Sequence, residues 1–200
     1  MIIKTLVENT TSLDGFGVEH GLSLYIETKK HKVLFDLGES GVFAKNALKM
    51  DVDLADVDMV VVSHGHYDHG GGLKTFLGLN SKAKIYVTDK TFDKHYANRP
   101  NGSKTYIGLD EILSDNERLI HTGNRMVVDD EIALFSGVEA ERLNPSGNQD
   151  LLMMHGDTFV PDDFRHEQNM VIHEDDTTLL VAGCAHNGIV NILDHYFSMN

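Results

Sequence analysis

Cysteine is nearly missing from this sequence: 200 residues hold one, Cys184, together with three prolines and no tryptophan. A single thiol cannot build an intramolecular disulfide framework, and such usage fits a reducing compartment. Basic residues are also scarce, with 17 Lys and Arg against 31 Asp and Glu and a net charge of −14 with histidine neutral. Nucleic-acid backbones are bound through lysine and arginine tracks, so the balance excludes a nucleic-acid partner. No apolar run approaches the ~20 residues that cross a bilayer. Residues 1–7 run straight into polar sequence, without the basic-then-apolar layout of a signal peptide. The expectation is a cytoplasmic protein with no membrane partner. Repeats and low-complexity linkers are absent too, so residues 1–200 read as a single domain.

What is present is ordinary globular composition, 41 % hydrophobic and 24 % charged, enough for a real core. Residues 1–7 read as a first strand, and 22–27 with 32–36 as a hairpin turning at 28–31. Residues 58–63 (DMVVVS) form a continuous apolar run, the pattern of a strand buried on both faces. Further strands are expected at 83–88, 126–128, 132–135, 169–173 and 178–182. An amphipathic helix is expected at 42–50, apolar at Val42, Phe43, Ala47, Leu48 and Met50, and another at 72–79. Residues 91–96 read as a helical turn and 98–109 as a polar loop over the site. Strands dominate and the buried runs need cover on both faces, which points to an α/β sandwich of two sheets with outer helices.

The chemistry gathers in Ser63-His64-Gly65-His66-Tyr67-Asp68-His69-Gly70-Gly71-Gly72, immediately after the buried run. Histidines two apart on a tight loop can turn both imidazoles towards one ion, with Gly65 permitting the sharp backbone. Asp68 and His69 are displaced along the chain and can serve a second ion. Two metals at roughly 3.5–4 Å hold and activate a bridging hydroxide, and imidazole with carboxylate suits zinc, iron or manganese. The bland alternative is a histidine-rich surface loop without metal. Three histidines, an aspartate and four glycines at the end of one buried strand make that a demanding coincidence. His186 follows the apolar run TLLVA with glycines on both sides and mirrors His64, so a ligand role is expected over that of a satisfied polar residue. Asp89 and His95 carry no such spacing and read as surface residues. His31, His121, His155, His173 and His195 read as surface or core.

The run resembles the H-x-H-x-D-H hallmark of the metallo-β-lactamase superfamily. The resemblance extends through VEHGLSLYIE (18–27), VLFDLG (33–38), SHGHYDHGGGL (63–73), PDDFRHEQN (161–169) and GCAHNGIVNIL (183–193), in order. That set is similar to the branch named for 7,8-dihydropterin-6-methyl-4-(β-D-ribofuranosyl)-aminobenzene-5′-phosphate synthase. It implies the family's αββα sandwich, and a centre of two divalent transition-metal ions, zinc first among them. It implies metal ligation by His64, His66, Asp68, His69 and His186, and places His166 where relatives often supply the third histidine of the first metal. Cys184 falls where relatives carry a bridging aspartate or a cysteine ligand, its alternative being a small buried hydrophobe. Asp36 matches an early aspartate that orients the metal loop by hydrogen bonds. His20, in EHGLS, lines the pocket or is structural. Relatives usually continue to a GGFHL segment whose histidine completes the second metal. The 200 residues stop before it, so the sandwich is expected to lack its C-terminal segment and to hold the second metal less well.

Three functions fit this reading. One is a hydrolase in which water, its pKa drawn towards ~7 by metal, attacks a small phosphate- or carbonyl-bearing substrate with Asp68 as the catalytic carboxylate. The second is the branch's condensation of a pterin carbon with a ribofuranosyl-aminobenzene phosphate, for which Tyr96, Tyr106 and Phe164 are candidate stacking platforms. The third is a ligand sensor without turnover, against which the full His64, His66, Asp68, His69 set argues. The expected partner is a small molecule, and a homodimer is compatible with the composition.

Overall fold

The structure, a computed structural model, describes residues 1–199. Its first sheet is built from β1 (Ile2–Val7), β2 (Ser23–Glu27), β3 (Lys32–Phe35), β4 (Met59–Val61), β5 (Lys84–Val87) and β8 (Leu119–His121), adjacent in that order. β1, β2 and β3 pair antiparallel, and β3, β4, β5 and β8 run parallel. The parallel half explains the unbroken apolar runs, because both of its faces are covered. Leu34, Val60, Ile85 and Val87 face one way, against Phe43 and Ala47 of α1 (Val42–Lys49) and Leu73 and Phe76 of α3 (Leu73–Leu79). The alternate residues Val33, Phe35, Met59, Val61 and Tyr86 face the other way.

That second face packs on a sheet ordered β14 (Thr177–Val181), β13 (Gln168–Glu174), β10 (Ile132–Ser136), β9 (Arg125–Val127). Ile132, Leu134, Met170, Ile172 and Val181 close this middle layer. On the outer face, Phe135 and Val171 meet Ile192 and Tyr196 of α4 (Ile189–Ser198). The layers therefore run helix, sheet, sheet, helix, as the resemblance implies. Each wholly buried Leu, Ile or Phe side chain contributes about 1.5–3 kcal/mol of transfer free energy.

A third, smaller sheet was not foreseen. It is ordered β12 (Thr158–Pro161), β11 (Leu151–His155), β6 (His95–Asn98), β7 (Lys104–Tyr106). The expected helical turn at 91–96 ends early: Asp93 N–H bonds Lys90 O, and the chain is extended from His95. The expected loop at 98–109 holds β7, paired to β6 through Tyr96 and Tyr106. β11 and β12 escape pattern reading because their residues are half-buried or exposed and never alternate cleanly.

Candidate metal centre

The H-x-H-x-D-H run leaves the carboxyl end of β4 and enters α2 (Tyr67–Gly70), a single turn, so its side chains converge within a few residues. Gly65 earns its place by close approach, since a Cβ there would lie 2.3 Å from the Thr91 carbonyl oxygen. His186 arrives from the loop after β14, where Gly183 crosses so near that a Cβ would sit 2.3 Å from Ser63 Oγ. Among the described residues, His64, His66 and His186 form one group whose ligand atoms lie within 4.8 Å of one another. His64, His69 and Cys184 form a second, and His66, His95, Asp162 and His166 a third.

Hydrogen bonds assign the tautomers. His186 Nδ1 is 2.9 Å from Asn148 Oδ1, and His64 Nδ1 is 2.8 Å from Ser63 Oγ. Both are acceptors when Ser63 gives its own hydrogen to Asp36 Oδ2 at 2.7 Å. Each ring then carries its hydrogen on Nδ1 and keeps a lone pair on Nε2. His69 Nδ1 likewise donates to Asp36 Oδ2 at 2.6 Å, leaving Nε2 towards Cys184 Sγ at 3.1 Å. Asp36 is wholly buried with φ 61°, and its Oδ1 also accepts the Ser63 N–H at 2.6 Å. This is the orienting carboxylate that the resemblance implies.

Burial fits this ring cluster to a cation. Nε2 of His64 and of His186 is buried with no hydrogen-bond partner, an arrangement costly unless something else occupies the lone pair. Burial and neighbouring imidazoles hold the His64 pKa well below the usual histidine value and bring that of His186 down to about 3. Burial also lowers His66, outweighing the nearby Asp162 carboxylate. Neutral imidazole is the ligating form. His69 differs. Burial pushes it down, but the Asp36 carboxylate more than offsets this and holds it well above the ordinary value. A metal taken there must displace that proton.

Asp68 sits in none of the three groups; its Oδ2 lies 3.5 Å from His69 Nε2 and 3.4 Å from His20 Nε2. These residues, with Gly183 and Cys184, line a cleft of about 190 Å³. His166 is placed apart from His64 and His186, in the group with His95 and Asp162. Cys184 is exposed rather than a buried hydrophobe. His95 corrects the surface reading: it is 1 % exposed and its Nδ1 is 2.8 Å from Asp162 Oδ2. Asp89 is exposed and pairs with His121. His31 bridges Asp58 and Asp129, and His155, His173 and His195 enter none of the groups. The aromatic platforms are already engaged. Phe164 stacks on His186 at 4.6 Å, and Tyr96 packs edge-on against Tyr106 and Phe159. Asp162 has one sequence signal, the Asp-Asp pair before Phe164; His95 has none.

The comparisons agree with this architecture. A protein of Methanocaldococcus jannaschii described as uncharacterized is 28 % identical over 97 % of this chain and 73 % of its own length. The 7,8-dihydropterin-6-methyl-4-(beta-D-ribofuranosyl)-aminobenzene-5′-phosphate synthase of the same organism is 26 % identical over 96 % of this chain and 70 % of its own. The crystal structure of a metal-dependent hydrolase of the beta-lactamase superfamily superposes with TM-score 0.77 and 31 % identity, covering 99 % of this chain and 71 % of that one. No helix among the described residues is long and apolar enough to cross a membrane. The metallo-beta-lactamase superfamily profile matches residues 16–196, and with the histidine loop at the end of β4 between two packed sheets, the chain belongs to that superfamily.

Proposed function

We propose that this protein is a metal-dependent hydrolase of a small phosphate- or carbonyl-bearing substrate, working at a centre of two divalent transition-metal ions. The observation that carries the reading is the pair of lone-pair-bearing, buried and unpartnered Nε2 atoms of His64 and His186, whose rings stand 4.9 Å apart. His64, His66 and His186 would hold the first ion. His69, Cys184 and Asp68 would hold the second, with zinc the first choice for such a nitrogen, sulfur and oxygen set. When bound, the metals supply Lewis acidity, lowering the pKa of water towards ~7 and steadying charge that develops on a substrate oxygen.

The chain's own groups do the rest. Asp36 and Ser63 fix the rings of His69 and His64. Asp68, on the cleft wall with His20, orients the attacking water and accepts its proton at Oδ2. A mixed-charge cleft of about 690 Å³ includes Lys90, Arg165 and Asn187, the residue after His186, but also Asp89, Glu139 and Asp163. Attraction for an anion therefore falls to the metals rather than to the walls. The −14 charge disfavours any polyanion.

The test is elemental analysis of protein purified without chelator, then turnover of phosphodiesters, lactones, thioesters and pterins by the metal-loaded chain. Metal absent even after reconstitution would refute the reading. The likeness to the Methanocaldococcus jannaschii synthase supports a second reading, condensation of a pterin with a ribofuranosyl-aminobenzene phosphate on the same ligands. Product formation from that pair, with no hydrolysis across the panel, would select it.

A further inference from the structure

Three buried side chains take no part in the steps above: His95, Asp162 and His166, exposed 1 %, 8 % and 1 %. They arrive from β6, from the residue after β12, and from the turn before β13. Asp162 is their hub. Its Oδ2 accepts His95 Nδ1–H at 2.8 Å, and its Oδ1 accepts the Phe164 N–H at 2.9 Å. His166 Nε2 lies 3.3 Å from Oδ1, and His66 Nε2 lies 3.8 Å from Oδ2.

Hydrogen bookkeeping decides what the cluster can do. His166 Nδ1 accepts the Gly65 N–H at 2.8 Å, so that lone pair is spent. The neutral ring must then carry its hydrogen on Nε2, facing Asp162. Offering Nε2 to an ion would require a doubly deprotonated imidazole. Both Asp162 oxygens are already taken by donors. His66 Nε2, buried with no aligned hydrogen bond, faces the same carboxylate, which favours a hydrogen there and repels a lone pair. Nδ1 is left as the atom His66 offers to the group it forms with His64 and His186.

We propose that the buried His95–Asp162–His166 trio is the positioning network of the metal centre. Asp162, steadied by His95, holds the hydrogen of His66 on Nε2 so that Nδ1 meets the ion, and His166 anchors the Gly65 backbone between two ligands. The inference rests on the reading that His64, His66 and His186 hold a metal. It also removes His166 from the ligand set that the family resemblance implies.

The experiment loads the full chain, labelled with ¹⁵N-histidine, with ¹¹³Cd and reads which ring nitrogens couple to the metal. Coupling is expected at Nε2 of His64 and His186 and at Nδ1 of His66, with His166 uncoupled. Cobalt titration of Asp162→Asn should show affinity lowered roughly 10–100-fold and a changed visible spectrum. His95→Gln should weaken binding without loss of a cobalt equivalent. Coupling through His66 Nε2, or through His166, overturns the proposal, and this measurement needs no variant to fold. Unchanged cobalt affinity and spectrum in Asp162→Asn overturn it as well. Loss of one full cobalt equivalent in His95→Gln overturns it in favour of a cation site made by these four side chains themselves. Failure of the unmodified chain to bind either metal instead defeats the metal-centre reading on which it stands.

Discussion

Replacing Asp36 by asparagine keeps the shape of the residue and removes its charge. Asp36 is wholly buried and accepts three hydrogen bonds, from Ser63 N, Ser63 Oγ and His69 Nδ1, at 2.6, 2.7 and 2.6 Å. An asparagine amide turned towards His69 sets donor against donor; turned the other way, it meets the Ser63 N–H. Either way one buried donor is orphaned and the buried charge pair with His69 is broken. Removing one partner of such a pair costs about 3–5 kcal/mol, a large share of the 5–15 kcal/mol that holds a domain together. With a urea m-value of about 3 kcal/mol/M for a chain of this size, the unfolding midpoint should fall by roughly 1–1.7 M. The assay is urea unfolding of chelator-treated protein, so that metal linkage does not enter. Ser63→Ala serves as the milder control, at about 1 kcal/mol. A midpoint for Asp36→Asn within roughly 0.3 M of the unmodified chain would show that Asp36 is not the hub that holds the histidine loop.

Four other outcomes are expected. Titration of the apo-protein with zinc or cobalt should give two unequal affinities, because the proposed second site must displace a proton from His69 and includes the exposed Cys184; two equal sites would contradict this. Asp68→Asn should lower turnover at least roughly 100-fold with far-ultraviolet circular dichroism unchanged, whereas near-normal activity removes Asp68 from the chemistry. Gly65→Ala places a Cβ 2.3 Å from the Thr91 carbonyl, so metal affinity and thermal midpoint should both drop; retention of both refutes the close-approach argument. His31 supplies the pH dependence. Burial alone would lower its pKa, but the flanking Asp129 and Asp58 carboxylates raise it. A folded-state pKa above the unfolded one favours the protonated ring in the native state, so its contribution is complete below about pH 6.5 and lost as pH rises through the folded value. The urea midpoint should slope downwards there and flatten in His31→Gln; an unchanged slope would sink the assignment.

The sequence carried the second sheet, all of the first but the short, half-exposed β8, and the front of the centre because their signals are local. DMVVVS is apolar enough to be a buried strand whatever surrounds it, and His64, His66, Asp68 and His69 lie within six consecutive residues. His186 was legible by analogy, being the same strand-end position repeated. His95 was not, because nothing in DKHYAN distinguishes a buried histidine from an exposed one. Its burial depends on β6 pairing with β11, a partner more than fifty residues away whose own pattern is weak. The missed ribbon and the misread histidine are thus one error. Cys184 stood open between a ligand and a small buried hydrophobe, and its exposure on the cleft wall beside His69 excludes the second.

The proposed ligands come from the loop after β4 and from the loop after β14, with His95 of the third sheet behind them, so no single segment contains the centre. Those pieces meet only when the chain is nearly folded, and such distant pairings are slow to form. An ion that binds the assembled cluster and ignores the unfolded chain would act as a late staple between the first two sheets. By mass action it would add about 4 kcal/mol when free metal stands a thousandfold above its dissociation constant. Resistance to proteolysis would then track the metal supply, and a starved cell would clear the chain faster than a replete one.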